Sequence, residues 1–382
     1  MINKGFSPCA SPAIGLHLDG LGRRGRISNH AVTVRHGGGL LPPCPLKYIK
    51  CTDAMSYNLG ANASSQKDGM RFRFVILVGV AIAAVAVVFA VKHLILSSDT
   101  AAVPAPLPTK QASYLGVYEH AALQAYQPIM DFAKAAGTPP NIVGYYSGWG
   151  EPFETAFAEK VSRHGAITIV QWDPTLASVQ KIASGGYDSY LRSFAASVRT
   201  FGRPVVIGFG HEMNAYWYSW GYGHLPARTF VAAWRHIVTL FRHQGTSNVT
   251  WLWTLQADEP GTGPIASWWP GEKYVTWVGI DGYYYRPSET FFSIFGRTIA
   301  DVRALTGLPV LLSEVAVGPE AGQARKIPDL FAGMRHYGTL GLVWFDIAQH
   351  NGVYHQDWHI EDNQPAETVF RRGVSAMTLA RP

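Results

Sequence analysis

The rhythm of hydrophobic and polar positions changes three times along the chain. Residues 1–70 show no sustained period of two or of 3.6 and are rich in Gly, Ser, Pro and Asn, so nothing there predicts a packed core. Phe74 to Val91 then runs 18 residues without a charge, between Arg71 and Arg73 on one side and Lys92 on the other. From Tyr114 onward, short apolar runs alternate with amphipathic stretches. The runs at 114–119, 142–147, 166–172, 205–212, 249–255, 275–283, 309–315 and 341–346 predict eight strands. Helices are predicted between them over 121–136, 153–163, 187–201, 230–243, 292–305, 327–337 and 366–379. In two of these the apolar positions recur at three and four residues: Leu191, Phe194, Ala195 and Val198, then Trp234, Ile237, Val238 and Phe241. Eight alternating β and α units predict a closed (β/α)8 TIM barrel. An open doubly wound sheet is the competitor. It calls for a glycine-rich phosphate turn after the first strand, where Val117-Tyr-Glu-His120 stands instead.

The uncharged run is long enough, once Leu94-Ile-Leu96 extends it, to cross a bilayer as one helix. It exceeds the usual core of a cleaved signal peptide, which favours an uncleaved anchor over residues 71–97. Arginines ahead of the span place the N-terminus inside and the remainder outside the cytoplasm. Residues 98–112, with Val103-Pro-Ala-Pro-Leu-Pro108, read as a stiff linker, and 113–382 as the barrel domain. Met55 and Met70 offer alternative starts, either of which would leave the first 54 residues outside the protein.

Charge changes this picture little. The formal net charge of +6 suggests a nucleic-acid partner until it is divided. Residues 1–100 carry a net +7 and residues 101–382 a net −1, so the barrel itself has no electrostatic case for nucleic acid. All three cysteines, Cys9, Cys44 and Cys51, precede the anchor, and all 12 tryptophans follow residue 101.

In a barrel of this kind the chemistry gathers at the C-terminal ends of the strands. The fourth predicted strand ends in Gly210-His-Glu-Met-Asn214 and continues to Trp217-Tyr-Ser-Trp220-Gly221; the seventh ends in Leu312-Ser-Glu314. Other strand ends supply Tyr145-Tyr-Ser-Gly-Trp149, Gln171-Trp-Asp173, Asp281-Gly-Tyr-Tyr-Tyr285 and Trp344-Phe-Asp346. Indole and phenol rings beside carboxylates suit sugars, whose rings have apolar faces and hydroxyl rims. Hydrolysing a glycosidic bond needs two carboxyl groups, one protonating the leaving oxygen and one attacking the anomeric carbon. Strands four and seven face each other across the mouth, which nominates Glu212, walled by rings that favour its neutral form, as acid/base and Glu314 as nucleophile. A hydroxyl, from Tyr283 or a neighbour, is needed to aim Glu314. Trp149, Asn214 and Trp220 complete the expected substrate-binding set. Trp234, Trp251 and Trp277 are expected in the core.

These motifs resemble glycoside hydrolase family 26, whose best-known members are endo-β-1,4-mannanases and which belongs to a clan of retaining (β/α)8 hydrolases. The resemblance extends over about residues 112–375, the whole predicted barrel. It implies Glu212 as acid/base and Glu314 as nucleophile, with His211 in the −1 subsite and Trp217 stacking near the cleavage point. It also implies Tyr283 bonded to Glu314 and Trp344 as the platform under the −1 sugar. Ala215 stands where family members often have Gly. The resemblance leaves the polymer open among mannan, mixed-linkage β-glucan, β-1,3-xylan and the cell's own exopolysaccharide, and it leaves open binding without turnover. No cofactor and no metal are expected. His355, Asp357, His359, Glu361 and Asp362 follow the eighth strand, but their alternation on an irregular segment fits a polar loop rimming the cleft better than a metal site. Asn62-Ala-Ser64 and Asn248-Val-Thr250 match a glycosylation pattern.

Overall fold

The computed structural model describes residues 106–318, 320–348 and 356–381. The expected transmembrane helix, the cysteines, Asn62 and His355 lie outside the described residues. Among the described residues no helix is long and apolar enough to cross a membrane.

Eight strands form the barrel: β1 (Tyr114–Tyr118), β2 (Ile142–Gly148), β3 (Ile167–Asp173), β4 (Val205–Phe209), β5 (Val249–Gln256), β6 (Trp277–Tyr284), β7 (Val310–Val317) and β8 (Gly341–Phe345). They pair in chain order, all parallel, and β8 closes on β1. The connecting helices are α1 (Gln127–Ala136), α2 (Thr155–Arg163), α3 (Val179–Ala183), α4 (Asp188–Phe201), α5 (Ala227–His243), α6 (Arg297–Leu305) and α7 (Glu320–Tyr337), with α8 (Gln364–Ser375) after β8. The doubly wound alternative is excluded by closure.

Two boundaries move for identifiable reasons. The first helix begins at Gln127 rather than 121 because Pro128 suits the start of a helix and nothing inside one. The fourth strand stops at Phe209, because Gly210 (φ +56°) and Glu212 (φ +52°) turn the backbone into the left-handed region. The stretch 292–296 winds as a π-turn ahead of α6.

Helices bury one face against the strands. On α5, Phe230, Trp234, Ile237 and Phe241 pack inward, and Phe241 meets Trp251 of β5 with ring centroids 5.2 Å apart. Burying an aromatic of this kind stabilises by roughly 2–3 kcal/mol. Trp234, Trp251 and Trp277 are all buried, as their positions predicted. Asn248 is buried too, its amide donating to Val198 O and Arg203 O at 2.8 Å. It therefore presents no side chain for glycosylation.

Inside the barrel, glycines make room for large polar groups under the mouth. A Cβ on Gly144 would lie 2.0 Å from the Tyr118 ring, one on Gly208 2.1 Å from Gln171 Oε1, and one on Gly279 2.4 Å from Ser313 Oγ. The last of these neighbours matters most. Between Leu311 and Glu314, β7 carries one residue more than β6 beside it, and it gains the same extra residue against β8. Such a bulge breaks the alternation that sends successive side chains to opposite faces. Ser313 and Glu314, adjacent in sequence, consequently both turn inward.

Candidate active site

Glu314 reaches the mouth from β7 and is buried. Each of its oxygens accepts a phenol hydrogen bond: Oε1 from Tyr146 at 2.6 Å and Oε2 from Tyr283 at 2.5 Å. Of the three consecutive tyrosines at the end of β6 and just beyond it, it is Tyr283 that reaches Glu314. Tyr284 faces the helices and bonds Asp329. Burial pushes the Glu314 carboxyl up, while His211 and the two phenols pull it back toward ionisation. Burial, and then the charge of Glu314, keeps both phenols protonated well above the usual tyrosine range.

Glu212 enters from the turn after β4. Its positive φ is uncommon for a residue with a side chain and costs on the order of 1–3 kcal/mol. Glu212 N donates to Thr254 O at 3.0 Å, and Trp217 Nε1 donates to Glu212 Oε2 at 2.6 Å. Backbone and carboxyl are thereby both fixed. One carboxylate oxygen from each of Glu212, Asp281 and Glu314 lies within 4.8 Å of the other two.

Asp281, on β6, is the third member of that group and is fully buried. Its Oδ1 accepts from Ser313 Oγ at 2.5 Å. Burial, then the charges of Glu314 and Glu212, push its carboxyl well above the usual range, which favours its protonated form. Oxygen donors of this kind suit hard cations. Here Tyr146, Tyr283, Ser313 and Trp217 already hold four of the six carboxyl oxygens as hydrogen-bond acceptors. The arrangement is built for acid–base work between carboxyls.

His211 lies beside them, buried. Its Nδ1 is 2.8 Å from Asp173 Oδ1 and its Nε2 3.0 Å from the Tyr218 hydroxyl. Burial opposes a charge on the ring, but Asp173, with help from Glu212 and Glu314, outweighs it and pushes the imidazole up to about 9. His211 is therefore a cation at neutral pH, and its charge favours the ionised form of Glu314.

Four expected substrate contacts fall elsewhere. Trp344 does not underlie the cleft: it is buried against Phe370 of α8, ring centroids 5.0 Å apart, and its Nε1 donates to Trp358 O. Alternation along β8 sends Trp344 outward and Phe345 inward. The ring beside Tyr283 is instead Trp358, 5.6 Å away, which also meets Tyr285 at 5.8 Å. Asn214 is spent on the backbone, trading 2.8 and 2.9 Å hydrogen bonds with Gln256. Trp220 donates to His211 O and stacks on Tyr218 at 4.4 Å, so it props the histidine from behind. Trp149 stacks on Trp172 at 4.9 Å in the layer between β3 and α4. His211, Trp217 and Tyr283 do reach the two glutamates. Tyr146, Asp173 and Asp281 stood in the strand-end clusters without being singled out, while Trp358 lies in an irregular segment with no periodic signal. Of the acidic loop after β8, Asp357, His359 and Asp362 cluster at the surface, and His359 also approaches Glu119 at 3.7 Å.

The model of glycosyl hydrolase family 26 matches residues 124–377. Endoglucanase H of Acetivibrio thermocellus is 26% identical over 265 residues, covering 65% of this chain and 29% of that protein. Beta-1,3-xylanase TXYA of a Vibrio species is 25% identical over 179 residues, covering 44% of this chain and 37% of its own. The chain thus spans 29% and 37% of the length of these curated relatives. Among solved structures, the catalytic domain of the Bacillus sp. JAMB-750 GH26 endo-beta-1,4-mannanase superposes with a TM-score of 0.56, covering 71% of this chain and 87% of that one. At 15% identity that likeness speaks for the fold alone.

Proposed function

This chain belongs to glycosyl hydrolase family 26, and from that premise we propose that it is a retaining, endo-acting β-glycanase whose first substrate class is β-1,4-mannan. The observation that carries the reading is the pair Glu212 and Glu314, with carboxylate oxygens within 4.8 Å and different surroundings. Retaining glycosidases hold their carboxyls about 5–5.5 Å apart, and inverting ones leave room for a water between.

Glu314 attacks the anomeric carbon while Glu212 gives its proton to the departing oxygen, so one C–O bond forms as the glycosidic bond breaks. Water, deprotonated by Glu212, then releases the sugar from Glu314. Tyr146 and Tyr283 aim the nucleophile and must yield part of their hold as it turns into an ester. The His211 cation favours the ionised nucleophile before attack. Trp217 fixes the rotation of the acid. The motif running from Gly210 to Gly221 supports the family, and mannan is placed first because the family's best-known members are endo-β-1,4-mannanases. A second reading, mixed-linkage β-glucan, is favoured by the 265-residue match to Endoglucanase H.

Reducing-sugar release by the purified full-length protein on mannan, glucomannan, mixed-linkage β-glucan and β-1,3-xylan tests both. Release on one polymer, falling at least about a thousandfold in Glu314→Ala, fits several kcal/mol of lost transition-state stabilisation. No release on any of them from folded protein sinks the hydrolytic reading.

We further propose that residues 74–96 anchor the enzyme with its barrel outside the cytoplasm, supported by the uncharged run and the arginines before it. Recovery in the detergent-free soluble fraction, or protection of the barrel from protease added outside the cell, counts against this.

A further inference from the structure

Beyond the two glutamates, the turn after β4 carries two tyrosines that the reaction does not use. Tyr216 and Tyr222 are 40% and 42% exposed. Both are nevertheless held in place. Tyr216 N donates to Gly261 O, Tyr222 N to Met213 O, and Gly263 N to Asn214 O, so that residues 214–216 and 261–263 run as a short antiparallel ladder through the Ala215–Thr262 bridge. Each ring then lies against a glycine of the β5 loop. A Cβ on Gly261 would sit 2.3 Å from the Tyr216 ring, and one on Gly263 would sit 2.3 Å from the Tyr222 ring. Gly261, at φ +103°, also needs its glycine conformationally. Two glycines, one residue apart, are thus reserved for two rings that stay more than a third exposed. Flat apolar faces held without rotamer freedom are economical binding surfaces.

Their place says what they bind. Tyr216 meets Trp217 edge-on with centroids 5.6 Å apart, and Trp217 bonds Glu212. Glu212, as general acid, stands at the leaving oxygen, so the ridge beyond Trp217 lies on the leaving-group side. We propose that Tyr216 and Tyr222 form a distal aromatic platform for the departing part of a β-linked polysaccharide, which favours internal cleavage over trimming from an end. The assignment of side rests on Glu212 being the acid.

Binding to the full-length Glu314→Gln protein tests this without turnover. Mannohexaose and a mixed-linkage gluco-hexasaccharide are titrated by calorimetry, each beside its disaccharide. Adding Tyr216→Ala is expected to weaken binding of the better hexasaccharide about tenfold (about 1.4 kcal/mol), and Tyr222→Ala at least about threefold. The ratio of hexasaccharide to disaccharide affinity falls accordingly. Gly261→Ala, which displaces Tyr216 while keeping its ring, reproduces the loss. Unchanged hexasaccharide affinity in folded variants, shown by unchanged Tm, overturns the proposal, as does no hexasaccharide binding to the parent. Tyrosine-dependent binding by a protein that cleaves nothing would sink the hydrolytic reading and leave the platform standing.

Discussion

The phenol of Tyr146, on β2, donates a 2.6 Å hydrogen bond to Oε1 of Glu314, on β7, opposite the 2.5 Å bond that Tyr283 makes to Oε2. The two donors approach from different strands and leave the carboxylate little freedom to rotate. They also stabilise its charge in a buried place where burial alone would neutralise it.

Removing either donor therefore raises the Glu314 pKa further. A hydrogen bond to a charged group contributes about 1.5–3 kcal/mol, so Tyr146→Phe and Tyr283→Phe should each lower kcat about tenfold to a hundredfold. The acid limb of the kcat/KM profile should move to higher pH in both, because more of the nucleophile is protonated at a given pH. A profile unmoved on its acid side would show that neither phenol supports the ionised form.

His211 links folding to pH. Its folded value of about 9 exceeds the ordinary 6.5, so its contribution is fully present below about pH 6.5 and is lost as pH rises through about 9. The amount at stake is about 3 kcal/mol. Thermal unfolding should show Tm falling across that window, and His211→Asn should flatten the fall. Asp173→Asn removes the main support of the cation and should flatten it too. A wild-type slope retained in both variants would refute the linkage.

Asp281 pulls the same way, starting at lower pH. Burial raises its folded pKa well above 3.8, so keeping it neutral costs stability as pH rises above the unfolded value. Asp281→Asn supplies a neutral side chain of the same shape. The variant should be at least as stable as the wild type at pH 7, with a smaller decline in Tm as pH rises from about 4. A marked loss of Tm at pH 7 would mean that the carboxyl is ionised in the folded protein.

Trp344 and Trp358 are both fully buried, but only Trp358 packs against Tyr283, which holds Glu314. Trp344→Phe opens space beside Phe370 and should lower Tm, with kcat/KM changing less than about threefold. Trp358→Phe alters the ring against Tyr283 and should cost kcat/KM at least about tenfold, because misplacement near the reacting atoms is expensive. Kinetics and thermal melts on the two purified variants decide between these roles, and equal kinetic losses would erase the distinction.

Eight apolar runs and the helical spacing between them determined the barrel, because a buried parallel strand and an amphipathic helix each leave a one-dimensional trace. The positions of Glu212 and Glu314 followed from the same trace, since active groups collect at strand ends. Facing is another matter. Trp344 and Trp358 are equally aromatic in sequence, and only the pleat of β8 shows that the first turns away from the cleft. Ser313 and Glu314 are neighbours that alternation would send to opposite faces, and the extra residue in β7 turns both inward. Asn214 and Trp220 look like sugar ligands until the β4 turn folds back and spends them on Gln256 and His211. Composition and period report which elements form. Which atoms meet depends on bulges, turns and contacts between residues far apart in the chain, such as the 168 positions separating Tyr146 from Glu314, and only the closed barrel brings them together.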